Sequence, residues 1–312
     1  MKRAGLLLAA LAALILAVAI GPTHVPWSEF ASSPIVRTLR VPRALLAFLV
    51  GGALGTAGAA LQAVVRNPLA DPFLLGLSGG AGLGAVLAIA AGLPGAWATP
   101  LAAFAGALAA MALVYRIALA QGSELDPRGL ILGGVAVGAF AGALTTAVVS
   151  LADAVALRNA LLWLWGGLSG ASWDAVVVVA VYLPIPLAVL FAAARPLDLL
   201  ALGEEPARYL GTDVGALRRR VYVAASLLTA VAVAVSGVIG FVGLIVPHGV
   251  RALFGHRHRA LLPAAFVGGG TLLTLADTVA RVVVAPRELP VGIVTALVGV
   301  PLFALLVRRW TA

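Results

Sequence analysis

The chain has 312 residues, of which 62% are hydrophobic and only 11% charged, and its mean hydropathy is +1.10. This composition leaves too little polar surface to cover a water-soluble globule, which excludes a soluble enzyme or a nucleic-acid-binding protein. The 21 basic residues outnumber the 12 acidic ones, and the absence of cysteine excludes disulfides, thiolate catalysis and Cys-ligated metal centres. Such a composition is typical of an integral membrane protein.

Uninterrupted apolar stretches divide the chain into candidate membrane-spanning helices of about 20 residues each. They are residues 4–21, residues 44–65, two spans within 71–116, and then residues 129–152, 175–194, 221–250, 260–280 and 289–307. The first also resembles a signal peptide because Lys2 and Arg3 precede it, but no clear small-residue cleavage site follows, which favours a retained span. Within 71–116 the Gly-Leu-Pro-Gly turn at 92–95 separates two spans.

Two stretches do not fit a single straight crossing. Residues 159–173 are too short and are rich in Trp and Gly, which favours an interfacial or re-entrant helix. Residues 221–250 form either one long kinked helix or a full span followed by a short one after Ser236 and Gly237. A break there requires surrounding protein, because unpaired backbone groups facing lipid are costly, so the chain around Gly240 is expected to be buried.

The distribution of Lys and Arg favours ten spans over nine. With ten spans and a cytoplasmic N-terminus, 15 of the 21 basic residues lie on the cytoplasmic side, as the positive-inside rule requires. The six outside are Arg37, Arg40, Arg43, Arg158, Arg281 and Arg287. With nine spans the division weakens to 12 against 9. The sequence therefore predicts an all-α integral membrane protein, a polytopic bundle of about ten transmembrane helices with short interfacial and coupling helices, forming one domain over residues 1–312.

Glycines spaced four apart predict close helix packing in this bundle. The pairs Gly51 with Gly55 and Gly80 with Gly84, and the triple Gly134, Gly138 and Gly142, each place small residues on one helix face. Chance spacing is an alternative for any single pair in a chain with 36 glycines.

Ionisable residues at mid-depth are few, which argues against a self-powered pump. His248 and Asp277 are the candidates; a helix-end hydrogen bond is the favoured role for His248, and pairing with a nearby arginine or a helix dipole is favoured for Asp277. The chain contains no Walker A motif, no Ser-His-Asp arrangement and no two-His metal motif. Energy for any transport must therefore come from another protein.

Residues 195–220 form the longest polar interruption between spans and are the place where such energy could enter. Within them, residues 198–211 have the apolar spacing of a short amphipathic helix broken by Gly203 and Pro206. A membrane-surface anchor would carry basic residues on its polar face, whereas this segment carries Asp198, Glu204 and Glu205. A protein partner is therefore favoured over a lipid surface.

Motifs along nearly the whole chain resemble, in sequence order, those of the permease family of type II ABC importers, which take up cobalamin, haem and ferric siderophores. They are residues 40–47, which begin Arg40-Val41-Pro42-Arg43, residues 58–72 with Asn67-Pro68-Leu69-Ala70-Asp71-Pro72, residues 75–81, residues 163–173, Leu202-Gly203-Glu204-Glu205-Pro206-Ala207-Arg208, residues 240–248 and residues 288–296, which begin Glu288-Leu289-Pro290-Val291-Gly292. The resemblance implies a homodimer in the cytoplasmic (inner) membrane with both termini cytoplasmic, two ABC ATPase subunits that bind ATP and Mg, and an extracytoplasmic substrate-binding protein. It implies no catalytic residue, metal or cofactor in this chain.

The same resemblance implies roles for individual residues. The ATPase-coupling residues would be Leu202, Gly203, Glu204, Glu205, Arg208, Leu210 and Gly211; the binding-protein docking residues Arg40, Arg43 and Arg281; and the cytoplasmic gate Asn67, Pro68 and Leu69. A second gate in the family lies at residues 121–128, where Glu124, Asp126 and Pro127 depart from the small hydroxyl residues often found. Span five and its flanking short helix would line the substrate pocket. The alternative to this importer is a self-contained secondary carrier or channel without an ATPase partner.

Overall fold

A computed structural model describes residues 2–119 and 125–311, and these residues form helices and connections without a β-strand. The helices are α1 (Lys2–Ala19), α2 (Val41–Val65), α3 (Leu77–Ala90), α4 (Ala98–Leu119), α5 (Pro127–Leu151), α6 (Ala154–Leu164), α7 (Trp173–Tyr182), α8 (Pro184–Ala192), α9 (Ala194–Leu200), α10 (Glu204–Tyr209), α11 (Val214–Ser236), α12 (Val242–Phe254), α13 (His258–Val282) and α14 (Val291–Thr311). A π-helical turn, Ile35–Arg40, leads directly into α2, and a 3-10 turn, Pro72–Leu75, precedes α3.

Seven helical stretches of the described chain are long and apolar enough to cross a membrane. They are Lys2–Ala19, Ile35–Val65, Ala98–Leu119, Pro127–Leu151, Trp173–Ala192, Val214–Ser236 and His258–Val282. The polytopic all-α fold is thus confirmed. The three remaining expected spans correspond to the shorter apolar helices α3, α12 and α14.

The helix α2 lies at the centre of the bundle and packs against α11, α12 and α13. Glycines allow this: a Cβ on Gly51 would lie 2.2 Å from the carbonyl oxygen of Gly269, so the two backbones are in contact. The predicted Gly51–Gly55 and Gly80–Gly84 faces both meet neighbouring backbone, on α13 and α4 respectively. Gly142, the last of the three glycines predicted to form a packing face on α5, has no such neighbour, because a Cβ there would meet no atom within 4 Å.

The long apolar stretch 221–250 forms a full span followed by a short one, which is the second of the two arrangements that the sequence allows. Helix α11 ends at Gly237, which has φ +65°, and α12 begins after Phe241. Gly237 and Ile239 are buried, and the carbonyl of Ser236 accepts a hydrogen bond from the Gly167 N–H at 2.8 Å. Surrounding protein therefore shields Gly237 and Ile239 and pairs the Ser236 carbonyl, as expected for a break inside the bundle, whereas Gly240 itself is partly exposed.

The short helix predicted over residues 159–173 begins earlier, at Ala154. Its N-cap is Asp153, whose carboxylate accepts hydrogen bonds from the N–H groups of Val155 and Ala156 at 2.9 and 2.8 Å. The carboxylate satisfies backbone donors that the helix itself leaves open, and this fixes where α6 starts. The Trp- and Gly-rich residues 165–172 form the connection to α7 instead.

Hydrogen bonds between loops define two ends of the bundle, which we name the α10 end and the α6 end. The α10 end holds the starts of α1, α5, α11 and α13 and the ends of α2 and α12. The α6 end holds the end of α1, the starts of α2 and α7 and the end of α13. Five of the six arginines predicted to lie outside, namely Arg37, Arg40, Arg43, Arg281 and Arg287, belong to the elements that these contacts place at the α6 end.

Candidate functional site

The coupling segment comprises α9, α10 and the residues that join them to α11. Gly203, with φ +125°, separates α9 from α10, and Gly211, with φ +83°, follows the end of α10. Asp213 then caps α11 by accepting the Ala216 N–H at 2.9 Å. The predicted break at Gly203 is confirmed, whereas Pro206 lies inside the first turn of α10, where a missing N–H removes no helical hydrogen bond.

One face of the coupling segment exposes apolar side chains. Tyr209 is 89% exposed, and Leu202 and Leu210 are also exposed, whereas Ala207 and Leu200 are buried against the bundle. Large apolar side chains grouped on a polar loop mark a contact surface for another protein. Tyr209 was missing from the residues predicted for this role; an aromatic residue between Arg208 and Leu210 on a short loop helix was the available signal.

The two glutamates of the coupling segment differ in their surroundings. Glu204, the first residue of α10, accepts a hydrogen bond from Nη2 of Arg218, whereas Glu205 is exposed. On α9, Asp198 accepts from the His258 backbone N–H at 2.8 Å and lies 2.7 Å from its Nδ1. The segment is thus fastened to α11 and α13 at separate points, and Glu205 is the acidic group that faces outward.

The predicted gate residues lie in the connection between α2 and α3. Arg66 ends α2 in the left-handed conformation, with φ +55°, and Asn67 accepts the Leu69 N–H at 2.9 Å through its side chain, which forms a tight turn around Pro68. The turn places Asn67, Pro68 and Leu69 at the α10 end, each partly exposed. Their gate role stays a prediction.

The connection continues through a buried carboxyl group. Asp71 caps the 3-10 turn by accepting the Phe73 N–H at 2.8 Å, and burial raises the pKa of its carboxyl from the usual 3.8 to about 6. The hydrogen bond to the carboxylate opposes this shift but is weaker than the loss of hydration.

The second predicted gate lies only partly within the described residues. Residues 120–124, including Glu124, lie outside them. Asp126 accepts the N–H groups of Arg128 and Gly129 at 3.2 and 3.4 Å, and Pro127 is the first residue of α5. Asp126 and Pro127, two of the three departures from the family pattern, therefore form a helix start, with an N-cap and a proline at the first position.

The three predicted docking arginines cluster at the α6 end and are all engaged within the chain. Arg40 donates to the carbonyls of Val18, Ala19 and Thr23, and so holds the end of α1. Arg43 pairs with Asp277 at 2.9 Å and with Glu288 at 2.7 Å.

Arg281 completes this cluster from α13. Its Nε lies 3.1 Å from the Asp277 carboxylate, and its Nη2 donates to the Ala17 carbonyl at 3.0 Å. Asp277 thus has two arginine partners, which confirms the pairing favoured for it from the sequence. Burial of these charges is possible because Arg43 and Arg281 share the Asp277 carboxylate and Arg40 donates to three carbonyl oxygens.

A cavity of about 300 Å³ opens beside these arginines. Arg40, Arg43, Arg281 and Glu288 contribute to its wall, together with apolar residues of the α1–α2 connection and of the residues after α6. Three guanidinium groups against Asp277 and Glu288 leave the cluster one positive charge in excess. The cavity wall is therefore suited to a carboxylate of another molecule.

The architecture defines a class of protein: a multi-pass helical membrane protein with a short loop helix that exposes apolar side chains at one end and an arginine-lined cavity at the other. The chain matches the FecCD transport family over residues 7–309 and belongs to it.

Relatives and a solved structure agree with this membership. The chain is 45% identical over 274 residues to the cobalamin import system permease protein BtuC of Halobacterium salinarum, covering 88% of this chain and 73% of that protein. It is 42% identical over 277 residues to the hemin transport system permease protein HmuU of Yersinia pestis, covering 87% and 82%. A solved structure described as an inward-facing ABC transporter, assigned provisionally to the metal-chelate type, superposes with a TM-score of 0.89 at 32% identity over 99% of this chain and 98% of that one.

Proposed function

We propose that this chain is the membrane-spanning, non-enzymatic subunit of an ATP-driven importer that translocates a metal chelate of the cobalamin, haem or ferric-siderophore class. It works as a homodimer with two ABC ATPase subunits, which bind ATP and Mg, and with an extracytoplasmic binding protein that delivers the substrate. The α10 end and both termini face the cytoplasm in the inner membrane. The chain itself holds no cofactor.

The observation that carries this proposal is the surface of the coupling segment. The exposed residues of α10 and its C-cap include an acidic one, Glu205, a basic one, Arg208, and the apolar pair Tyr209 and Leu210. This mixture fits a protein cleft better than a lipid surface, which would select only basic residues beside the apolar ones. ATP binding and hydrolysis in the partner would move this segment, and rigid-body displacement of helices would then open one gate while the other closes. A self-contained carrier has no use for such a surface.

The translocation path is assigned to α5 and its symmetry mate. Gly142, Thr146 and Ser150 lie four residues apart on this helix and are all exposed in the single chain. Small and hydroxyl-bearing residues on an exposed face differ from the large apolar residues expected against lipid tails, and they suit a pocket for a large rigid chelate. Single cysteines along residues 135–149 test this, since aqueous thiol reagents should reach this face; protection of every position would contradict it.

The docking role of Arg40, Arg43 and Arg281 is proposed for the cavity that they share. Acidic residues of the binding protein would enter it and pair with guanidinium groups, which gives orientation and association rate more than affinity. Because Arg40 and Arg281 also hold carbonyls of α1, docking would act on the position of that helix.

Co-purification with an ABC ATPase encoded beside the chain tests the proposed function. We expect the ATPase to bind the wild-type chain, and binding to fall at least about tenfold in Tyr209→Ala and Glu205→Lys, because each removes an outward contact. Arg219→Ala is the matched control, since Arg219 is exposed on α11 outside the coupling segment. Equal binding by all four proteins, or no binding by the wild type, would contradict the proposal.

A further inference from the structure

Arg218 is a buried arginine that the proposed function does not yet use. It lies near the start of α11 and is only 3% exposed, whereas the adjacent Arg219 and Arg220 are exposed. Removing a guanidinium from water is costly, and a buried arginine is retained where its partners are specific. Its partners therefore indicate what it does.

The guanidinium of Arg218 joins two elements that are far apart in the chain. Nη2 donates to the carboxylate of Glu204, the first residue of α10, and Nη1 donates to the carbonyl of Leu125 at 3.4 Å. Leu125 is fully buried and immediately precedes Asp126, the N-cap of α5. The planar guanidinium group of Arg218 thus connects α10 to the start of α5, the helix proposed to line the translocation path.

The geometry of Arg218 favours this bridging role over simple stabilisation. The two terminal nitrogens of the guanidinium group, Nη1 and Nη2, each take one of the two partners, Leu125 and Glu204. A lysine would present the same charge from a single point and lacks the planar fork that reaches two acceptors in fixed directions.

The neighbouring contacts separate this connection from the other attachment of the coupling segment. Helix α9 is held to α13 through Asp198 and His258, and α13 packs on the central helix α2. Helix α5 packs instead on α3 and α4. Arg218 itself lies on α11, which packs on α2 and α4, so its guanidinium group bridges α10 and the residue before α5 from a helix that is held in the core.

We propose that Arg218 is a positioning residue that transmits the displacement of α10 to the first turn of α5, and so couples the nucleotide state of the ATPase to the α10 end of the translocation path. This inference rests on the proposed function. It adds a specific mechanical link, from Glu204 through Arg218 to the backbone at Leu125.

The experiment uses the complete importer and measures how far α5 moves. Spin labels are attached to cysteines replacing Leu132 on α5 and Leu253 on α12, which are exposed positions at the α10 end in a chain without native cysteine. Labelled chain is diluted with unlabelled chain so that one copy per dimer is measured. The distance between the labels is compared without nucleotide and with ATP and vanadate, in wild type, Arg218→Met, Arg218→Lys and the control Arg219→Met.

We expect the wild type and Arg219→Met to show the same nucleotide-dependent shift, and both variants at position 218 to show a shift at least about twofold smaller while the ATPase still binds and hydrolyses ATP. Arg218→Lys keeps the buried positive charge and serves if Arg218→Met does not fold. The inference is overturned, while the proposed function stands, if either variant at position 218 assembles and shows a distance change as large as that of the wild type. The same holds if the wild type shows no distance change. Loss of ATPase binding by both folded variants also overturns it, since Arg218 would then only hold α10 for docking. Failure of the wild-type chain to bind any ATPase overturns the proposed function.

Discussion

Gly58→Ala tests the packing on which the fold depends. A Cβ on Gly58 would lie 1.9 Å from the carbonyl oxygen of Gly243, and real Cβ atoms keep at least 3.0 Å from such neighbours, so α2 and α12 must separate by more than 1 Å. The same carbonyl accepts a hydrogen bond from Nε2 of buried Gln62 at 3.2 Å, which this separation would break.

Both effects destabilise the fold. Overpacking costs about 1–3 kcal/mol, an unpaired buried amide costs about 1–3 kcal/mol, and the better helix propensity of alanine offsets about 1 kcal/mol. We expect a net loss of about 3 kcal/mol, or roughly 5 °C in the unfolding temperature of a chain of this length. Thermal unfolding in detergent, followed by tryptophan fluorescence, measures the change.

Gly249→Ala is the matched control for this substitution. Gly249 lies on α12 itself, is exposed, and a Cβ there would meet no atom within 4 Å. Its variant should unfold at the wild-type temperature or slightly above it, by about 1 kcal/mol of helix propensity. Unfolding of Gly58→Ala at the wild-type temperature, or an equal fall in both variants, would refute the packing argument.

Three further predictions concern buried polar groups, each measured by thermal unfolding unless stated. Burial raises the pKa of Asp71 from the usual 3.8 to about 6, so the free energy of unfolding should fall as pH rises through this window, by roughly 1 kcal/mol between pH 5 and 7. Asp71→Asn should remove that fall. The same pH profile in the variant as in the wild type would contradict the burial of this carboxyl group. Asp277→Asn leaves Arg43 and Arg281 without their shared carboxylate and should lower the free energy of unfolding by about 3–5 kcal/mol. If this variant is as stable as the wild type, the cluster contributes little to stability. Arg40→Met removes donors from three carbonyls at the end of α1, and hydrogen exchange of residues 18–23 should accelerate about tenfold; unchanged exchange would mean that other contacts hold α1.

The sequence predicted most of the fold because apolar length decides where a chain crosses a membrane. The break after Ser236 was also predictable, since Gly237 adopts a positive φ that favours glycine. The start of α6 was misplaced because the predicted stretch began only after the charged Arg158, whereas the N-cap Asp153 starts the helix at Ala154 and Arg158 lies inside it. Capping residues are the sequence signals that indicate such helix starts.

The candidate site was predictable as a set of segments but not as a set of contacts. Arg43 meets Asp277 across 234 positions, and no local pattern specifies such a pair. Sequence reasoning also grouped Glu204 with Glu205, whereas packing directs Glu204 inward to Arg218 and leaves Glu205 exposed. Which side chains on a short loop helix face outward depends on how that helix lies on the bundle.

Uptake into proteoliposomes tests the central claim most directly, which is that an ATPase bound at the coupling segment powers this chain. Cobalamin, haemin and a ferric siderophore serve as probes, with the chain alone, with the complete set of partners, and with the complete set containing Tyr209→Ala. We expect uptake of at least one probe only with the complete wild-type set and ATP, and no uptake with the set that contains Tyr209→Ala. Uptake by the chain alone without ATP would contradict it.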